Sequence, residues 1–317
     1  MQPAQKLKQL LEQNISQVVV GKSAAVGLVL NALLCGGHVL LEDVPGVGKT
    51  TLASAFARSL QLSFKRIQFT PDVTPSDVTG YTRIDFKTGE SSFHEGAVFA
   101  QIVLADEINR TSPKTQSSLL EVMQEQQVTI DGQTHPLPGP FMVLATQNPV
   151  DFVGTYPLPE AQLDRFFMRV SIGYPTAEEE VRVLDMYMQK NRLVEELQPV
   201  CTQEDIIKLQ AQVGQVRVSR EMRVYITNIA QTSRQSRSFE RGISTRGAIA
   251  LMRAAQGAAL LDGRDYVMPE DVRSMALPVL SHRVVLSPEA RVGSRGATAE
   301  KALTRLIGSI QVPVRVK

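Results

Sequence analysis

Residues 46–50, Gly-Val-Gly-Lys-Thr, combine the residue types that can hold a nucleotide phosphate. They follow a short apolar run and precede a helical pattern, which is the layout of a phosphate-binding loop. Gly46 and Gly48 allow backbone N–H groups to approach a phosphate closely, and the helix that opens near Lys49 adds the positive end of its dipole. Lys49 can reach the β- and γ-phosphates, and the Thr50 hydroxyl can ligate Mg²⁺.

The loop departs from the usual pattern at one position. Asp43 stands where the pattern G-x-x-x-x-G-K-[ST] has its first glycine. Asp tolerates left-handed backbone angles better than most residues do, so the turn is still allowed. Taken alone, the segment is also compatible with an ordinary glycine-rich turn between a strand and a helix.

Two acidic residues, Asp106 and Glu107, directly follow the apolar run 101–105, which predicts a buried strand. A carboxylate at the tip of such a strand is costly unless a cation or a donor meets it. We expect Asp106 to hold Mg²⁺ through water and Glu107 to polarise an attacking water, whereas the alternative is that both acids only end a strand. The loop and the acidic pair, in this order and about 60 residues apart, predict a P-loop ATPase.

Two further strand ends carry polar residues. The strand predicted over 141–146 is followed by Asn148, which could orient the attacking water or, since Asn-Pro is common in turns, only form a turn. Arg165 lies just before a short predicted strand, and its planar guanidinium suits phosphate binding. A salt bridge from Arg165 to Asp164 or Glu160 is an equally good interpretation of the residue alone.

These motifs resemble those of the MoxR family of AAA+ ATPases. The matching segments, in family order over nearly the whole chain, are 18–22, 37–50, 96–100, 104–116, 119–125, 145–149 and 158–166. The residues that the resemblance implies as nucleotide-binding are Val20, Gly21, Val44, Pro45, Gly46, Val47, Gly48, Lys49, Thr50, Thr51 and Asp106, with Thr50 and Asp106 as the Mg²⁺ ligands. Those that it implies as catalytic are Glu107 of Walker B, Asn148 as sensor 1, Arg165 as the arginine finger and Arg246 as sensor 2.

The chain also departs from the family pattern around sensor 2 and at Lys22. The family usually has Ser-Pro-Arg-Ala around sensor 2, where this chain has Ser-Thr-Arg-Gly, and Lys22 stands where a Gln is common. Neither difference removes a group that the resemblance implies as catalytic.

Apolar strands alternate with helical patterns up to about residue 172, as a parallel α/β sheet requires. The resemblance implies an α/β fold, a P-loop AAA+ module with a parallel five-stranded sheet over 1–172, followed by an all-α lid over 173–317. It also implies a helix-2 insert at about 79–98, which could otherwise be a plain surface hairpin, and a hairpin before sensor 1 at about 127–140. Asp131-Gly132 predicts the turn of the second hairpin.

Caps and periodicity place the helices. Ser112 followed by Pro113 predicts the start of a helix that runs to residue 125, and Thr176 predicts the start of a helix over 178–187. Further helical patterns cover 245–261 and 269–277. The arginine-rich run between 217 and 246 predicts a solvated lid face; a subunit or nucleic-acid contact is the alternative, weakened by the lack of interleaved aromatic residues.

Composition narrows the class of protein. The chain has 317 residues, of which 43% are hydrophobic, and a net charge of +2, which argues against strongly electrostatic nucleic-acid binding. No apolar run reaches membrane-spanning length, and the first residues show no signal-peptide pattern, so we expect a cytoplasmic protein. Cys35 and Cys201 form neither a metal-binding spacing nor a disulfide framework.

The resemblance implies Mg²⁺-dependent ATP hydrolysis between subunits of a ring, a hexamer by family analogy, and chaperone-like remodelling of a client. Its partners would be further copies of itself and a von Willebrand factor A domain protein or another client in trans. GTP is disfavoured because the sequence has no Asn-Lys-x-Asp motif. The alternatives are a magnesium-chelatase-type motor subunit, a nucleic-acid-dependent ring ATPase and a scaffold that binds ATP but barely hydrolyses it.

Overall fold

The computed structural model describes residues 2–42, 46–147, 154–188, 194–292 and 298–313. The first part of the chain contains, in order, α1 (Pro3–Ile15), α2 (Ser23–Leu34), β1 (Val39–Glu42), α3 (Lys49–Ser59), β2 (Phe64–Gln68), α4 (Pro75–Thr79), β3 (Gly80–Ile84), β4 (Ser91–Glu95), β5 (Ile102–Asp106), a 3₁₀ turn (Ile108–Arg110), α5 (Pro113–Glu125), β6 (Gln127–Ile130), β7 (Gln133–Pro136), β8 (Met142–Gln147), α6 (Glu160–Leu163) and β9 (Met168–Val170).

The second part is the lid. It contains α7 (Ala177–Met188), a 3₁₀ turn (Val194–Glu196), α8 (Gln203–Val213), α9 (Arg220–Gln235), β10 (Phe239–Arg241), α10 (Thr245–Leu261), α11 (Pro269–Leu280), β11 (Val285–Leu286), α12 (Pro288–Val292) and α13 (Ala299–Ser309). The lid is helical as predicted, with one addition: β10 and β11 form an antiparallel pair. Among the described residues, no helix is long and apolar enough to cross a membrane.

The central sheet confirms the predicted parallel five-stranded core. Its strand order is β2-β5-β8-β1-β9, and every neighbouring pair is parallel. All five residues of β5 are buried, as are the first five of β8, because helices cover both faces of such a sheet. Since parallel strands end at the same edge, Gln68, Asp106, Gln147 and Glu42 meet there.

The two faces of the sheet pack against two different cores. Successive residues of a strand point to opposite faces and so belong to different cores. Leu41 and Leu104 lie in one cluster, whereas Leu40 and Val103 lie in the other. The first cluster contains apolar residues of α1, α2 and α3 and continues into α8 to α11 of the lid. The second contains residues of α5 and of the base of the β3–β4 hairpin. The lid therefore shares a hydrophobic core with one face only.

Helices α10 and α2 hold the lid against the first part of the chain at close range. The Asn31 side chain donates from Nδ2 to the carbonyl oxygen of Ala254 over 3.0 Å. A Cβ at Gly257 would lie only 2.5 Å from Oδ1 of the same Asn31. Glycine at position 257 therefore allows the two helices to approach until backbone and side chain touch.

Two hairpins project from the sheet. In β6–β7, Asp131 (φ 50°) and Gly132 (φ 80°) form the turn that was predicted from their sequence, since both have the positive φ angles of a two-residue hairpin turn. The β3–β4 hairpin is closed at its base, where a Cβ on Gly96 would overlap the backbone of Gly80. At its far end the Phe86 side chain is 99% exposed.

Candidate functional site

The glycine-rich loop lies between β1 and α3, beside the carboxyl ends of the neighbouring strands. Gly46 (φ 84°) and Gly48 (φ 88°) adopt left-handed conformations that favour glycine, and α3 begins at Lys49 directly after Gly48. Backbone N–H groups at the start of α3 therefore belong to the loop, as anion binding requires. Val44 and Pro45, which were predicted to contact the nucleotide, lie outside the described residues, whereas Val47, Thr50 and Thr51 lie within them, Thr51 exposed and the other two half-buried.

Asp106 ends β5 with both carboxylate oxygens engaged. Its Oδ1 accepts a hydrogen bond from the Thr146 hydroxyl over 2.6 Å. Its Oδ2 accepts from Arg66, 2.6 Å from Nη2 and 3.2 Å from Nε. Thr146 also accepts from the backbone N–H of Glu107 over 2.8 Å, so one hydroxyl on β8 orients both acidic residues.

Glu107 has a backbone conformation that is uncommon for its residue type. Its φ of 58° is left-handed, a strain of order 1 kcal/mol or more that structures retain mainly at functional positions. Its carboxylate Oε2 accepts hydrogen bonds from Gln68 Nε2 and from Arg110 Nη1, each over 3.0 Å. The side chain that was predicted to polarise a water is thus held at the carboxyl edge of the sheet.

Arg165 was expected either to bind phosphate or to pair with Asp164 or Glu160. The salt-bridge alternative is wrong, because Asp164 pairs with Arg283 over 2.7 Å and Glu160 pairs with Arg241 over 2.7 Å. In the part of the chain that the structure describes, the half-buried Arg165 side chain forms no ion pair.

Of the two residues predicted as sensors, only Arg246 lies within the described part of the chain. Asn148, predicted as sensor 1, lies outside the described residues. Arg246, predicted as sensor 2, is in the first turn of α10, with its Nη1 3.8 Å from Asp164 Oδ2. The structure therefore brings Arg246 next to the segment that carries Arg165.

Both parts of the chain match models of known protein families. Residues 38–168 match the family model described as the ATPase family associated with various cellular activities, and residues 231–304 match the AAA lid domain. The chain is 38% identical to chaperone MoxR1 of Mycobacterium tuberculosis, over 94% of this chain and 80% of that protein. The chain belongs to the MoxR family of AAA+ ATPases.

Two other similar proteins cover the chain almost end to end. YeaC, an uncharacterised protein of Bacillus subtilis, is 52% identical over 96% of this MoxR-family chain and 94% of its own length. The crystal structure of a candidate ATPase from Cytophaga hutchinsonii superposes with a TM-score of 0.90 at 36% identity, covering 98% of this chain and 96% of the other. The predicted fold class is confirmed.

Val20 and Gly21 of this MoxR-family protein were predicted to contact the nucleotide; Val20 is half-buried, and Gly21 lies against the start of the lid. Gly21 has a φ of 74°, and a Cβ there would overlap the carboxylate of Glu179 in α7. Glu179 Oε2 accepts from the Thr176 N–H over 2.8 Å, and this bond, helped by the Lys22 ammonium, lowers the pKa of Glu179 below its usual value. Lys22 is buried and donates from Nζ to the Gly173 carbonyl over 2.9 Å.

The donor set fits a magnesium ion. The Thr50 hydroxyl at the start of α3 and the Asp106 carboxylate at the tip of β5 are oxygen ligands of the kind that Mg²⁺ takes. A cationic group, the Arg66 guanidinium, already contacts the Asp106 oxygen that is not bonded to Thr146.

Sequence reasoning did not find Arg66, Gln68, Arg110 or Thr146. The one available signal was the placement of two polar residues, Arg66 and Gln68, two positions apart on β2, since such residues share a face of a strand. The register that puts Gln68 opposite Asp106 depends on the pairing of β2 with β5.

Proposed function

We propose that this chain binds ATP with Mg²⁺ at the loop 46–50 and hydrolyses it at the subunit interfaces of a ring, in order to remodel or activate client proteins. The observation that carries the proposal is the pair of carboxylates, Asp106 and Glu107, oriented by the Thr146 hydroxyl at the edge of the sheet where the loop also lies. Membership of the MoxR family supports the same nucleotide chemistry.

Each residue of the site has a distinct part in this proposal. Lys49 and the N–H groups at the start of α3 bind the phosphates, and Thr50 and Asp106 hold Mg²⁺, which supplies positive charge to the phosphate oxygens when bound. Glu107 accepts a hydrogen bond from the attacking water and draws its proton away from the oxygen that attacks phosphorus. Asn148, the residue that follows β8 in the sequence, would align that water.

The ring is needed because Arg165 would act on a neighbouring site. Its half-buried guanidinium has no ion pair among the described residues, so it remains available to a phosphate of the adjacent subunit. Arg246 would sense the γ-phosphate within its own subunit and pass that contact to α10 of the lid. A hexamer is the ring size that the family resemblance favours.

The β3–β4 hairpin is the proposed contact with a client or with a von Willebrand factor A domain partner. The hairpin exposes three large side chains, those of Tyr81, Ile84 and Phe86. These side chains take no part in the hydrogen bonds that hold Asp106 and Glu107. Exposed loops on a rigid base are frequent binding elements, and Gly80 and Gly96 close the base of this one.

Two variants separate nucleotide binding from hydrolysis. We expect Lys49→Ala to lose ATP binding in calorimetry, because the phosphates lose their cation. Glu107→Gln should bind ATP within about threefold of the parent and lose turnover by roughly 100-fold or more, because only activation of the water is removed. Exposed Lys114→Ala and Glu121→Gln on α5 are the matched controls. Equal loss of ATP affinity in Lys49→Ala and Glu107→Gln contradicts these roles.

The hairpin is tested with the Glu107→Gln protein as an ATP-bound trap. Replacing residues 85–90 by a minimal turn should leave ATP affinity within a few-fold and abolish the ATP-dependent capture of a partner in a pull-down. Phe86→Ser should weaken capture, and Ile207→Ser, which also removes an exposed apolar side chain but lies on α8, should not. A shortened protein that is folded by circular dichroism but no longer binds ATP would assign the hairpin to the nucleotide site instead.

A further inference from the structure

One buried arginine of the lid holds both neighbours of Arg165. Arg283 donates from Nη1 to the Asp164 carboxylate and from Nη2 to the Phe166 carbonyl oxygen, each over 2.7 Å. Its side chain is only 3% exposed. The two residues that flank Arg165 are therefore attached to a single planar group, Asp164 through its side chain and Phe166 through its backbone carbonyl.

The contact crosses from the lid to the strand side of the molecule. Arg283 lies in the segment between α11 and β11, 119 positions from Asp164 in the sequence. The preceding residue, His282, also bonds to the Phe166 carbonyl, with Nε2 3.0 Å from the oxygen. These three bonds join the end of α11 to the segment that leads from α6 into β9.

A second ion pair in the same region has a different character. Arg241 of β10 pairs with Glu160 of α6 over 2.7 Å, but the two side chains are 64% and 49% exposed. Both pairs line the cavity of about 820 Å³ between the sheet edge and the lid. In the Arg283 pair the arginine is 3% and the aspartate 26% exposed, so solvent competes less for this pair than for the exposed one.

A contribution to the stability of the fold does not by itself explain why the Arg283 guanidinium is buried. Burial disfavours its charge and lowers the pKa of Arg283, with the Asp164 carboxylate opposing that effect. Its Nε is buried and has no hydrogen-bond partner among the described residues. An apolar side chain would fill this position at less cost, whereas only a planar cation can hold a carboxylate and a carbonyl in one fixed geometry.

The same aspartate connects the clamp to the lid residue proposed as sensor 2. Asp164 Oδ1 bonds to Arg283, and its Oδ2 lies 3.8 Å from Arg246 Nη1. Between Asp164 and Phe166, the side chain of Arg165 itself forms no ion pair within the described ranges. Its placement consequently depends on two flanking residues that are both attached to the lid, Asp164 by its side chain and Phe166 by its backbone carbonyl.

We propose that Arg283 is a positioning residue for hydrolysis: with Asp164 it ties the backbone of Arg165 to the lid, so that the lid of one subunit places the guanidinium that serves the next subunit's site. This inference rests on the proposed function, in which Arg165 acts in trans. Arg283 itself contacts neither nucleotide nor metal in this scheme.

The first test compares turnover with nucleotide affinity. Arg283→Gln and Asp164→Asn each remove the ion pair, and both should lower kcat by roughly 100-fold, as expected when a reacting group is displaced by about 1 Å. The ATP affinity should stay within about threefold, because the loop 46–50 is unchanged. Arg241→Gln, which breaks the exposed pair in the same cavity, should keep kcat within about twofold.

The second test uses mixed rings, which separate positioning from folding. Arg283→Gln subunits have an intact loop and a misplaced Arg165, whereas Lys49→Ala subunits have a correctly placed Arg165 and no phosphate binding. In a one-to-one head-to-tail ring, about a quarter of the interfaces combine the intact halves, so activity should rise well above the sum of the two proteins alone. A folding defect in the Arg283→Gln subunit would not be rescued by its neighbour. Native mass spectrometry confirms mixing.

Arg165→Ala, measured in parallel, distinguishes failure of this inference from failure of the proposed function. If Arg165→Ala keeps full turnover, the proposed role of the finger is wrong and the positioning role falls with it. If Arg165→Ala loses turnover and is rescued in mixed rings, while folded Arg283→Gln either turns over like the parent or is not rescued, the inference alone is overturned. Should Arg283→Gln fail to fold by circular dichroism, Asp164→Asn and the apolar double variant Arg283→Met/Asp164→Leu decide the same question by the same readouts.

Discussion

Two aspartate–arginine pairs of nearly equal length occupy contrasting surroundings in this protein. Asp106 and Arg66 approach to 2.6 Å at the tip of β5, where the Arg66 side chain is 45% exposed. Asp164 and Arg283 approach to 2.7 Å beneath the lid, where Arg283 is 3% exposed. Both aspartates are partly exposed, Asp106 at 12% and Asp164 at 26%, so the difference lies in the arginines: water and dissolved ions reach Arg66 readily and Arg283 hardly at all. Two ion pairs of nearly the same length can therefore differ in how readily water or an ion replaces the arginine, because that depends on how deeply the arginine is buried.

Each pair suits its place. At the edge of the sheet, a carboxylate that must accept a metal benefits from a partner that can leave at little cost. Beneath the lid, a carboxylate that holds the backbone next to Arg165 benefits from a partner that cannot leave without exposing a buried charge. Three experiments can break or sharpen this contrast.

The largest expected difference concerns stability. Arg283→Ala leaves Asp164 without its buried partner and should lower the free energy of unfolding by about 3 kcal/mol. Arg66→Ala removes a half-exposed partner and should lower it by less than about 1 kcal/mol. Urea unfolding of both variants, followed by far-ultraviolet circular dichroism, measures the two values. Equal losses would mean that burial does not distinguish the pairs.

The next effect is a pH dependence of stability that arises from His282, the residue before Arg283. Burial and, more weakly, the charge of Arg283 lower the pKa of His282 to about 3, from about 6.5 in the unfolded chain. Below pH 6.5 the unfolded chain takes up a proton that the folded protein does not. The free energy of unfolding therefore decreases by up to about 1.4 kcal/mol for each unit by which the pH is lowered. Between pH 6.5 and 5 this amounts to roughly 2 kcal/mol.

His282→Gln is the variant that isolates this effect, since its amide can still donate to the Phe166 carbonyl but does not titrate. Its unfolding free energy should fall less steeply than that of the parent from pH 6.5 to 5. Some slope will remain, because burial also lowers the pKa of His38 to about 4. An identical slope in parent and variant would exclude His282 as a source of the pH dependence.

The smallest effect concerns the exchangeable pair. Removing Arg66 frees one oxygen of Asp106, so Arg66→Ala should bind Mn²⁺, used as a spectroscopic substitute for Mg²⁺ with ADP, roughly two- to fivefold more tightly. Electron paramagnetic resonance titration gives the affinity independently of turnover. Arg217→Ala, which breaks an exposed pair with Asp265 elsewhere, is the matched control. Weaker metal binding in Arg66→Ala would show that Arg66 supports the site rather than competing for it.

The sequence was sufficient to predict the elements that depend only on residues close together in the chain. The buried strand before Asp106, the turn at Asp131-Gly132 and the helix start at Ser112 all follow from residues within a few positions of each other. Ser112 caps α5 as expected, accepting a hydrogen bond from the Thr115 N–H. The acidic pair was found for the same reason, since it directly follows the strand that positions it.

Contacts between distant segments could not be predicted in this way. Arg66 meets Asp106 only because β2 and β5 pair in one particular register, and Arg283 meets Asp164 only because the lid folds back. The salt bridge that was the alternative interpretation of Arg165 is absent among the described residues, where Asp164, its neighbour in sequence, pairs instead with a residue 119 positions away. Strands β10 and β11 were missed because segments of three and two residues carry no periodicity.

The close approach at Gly257 makes one position of α10 intolerant of any side chain. Because α10 touches Asn31 of α2 with no room between them, even the methyl group of an alanine at position 257 would push the two helices apart. The hydrogen bond from Asn31 to the Ala254 carbonyl would lengthen with them. A single added carbon atom would thus act as a wedge between the lid and the part of the chain that carries the loop 46–50.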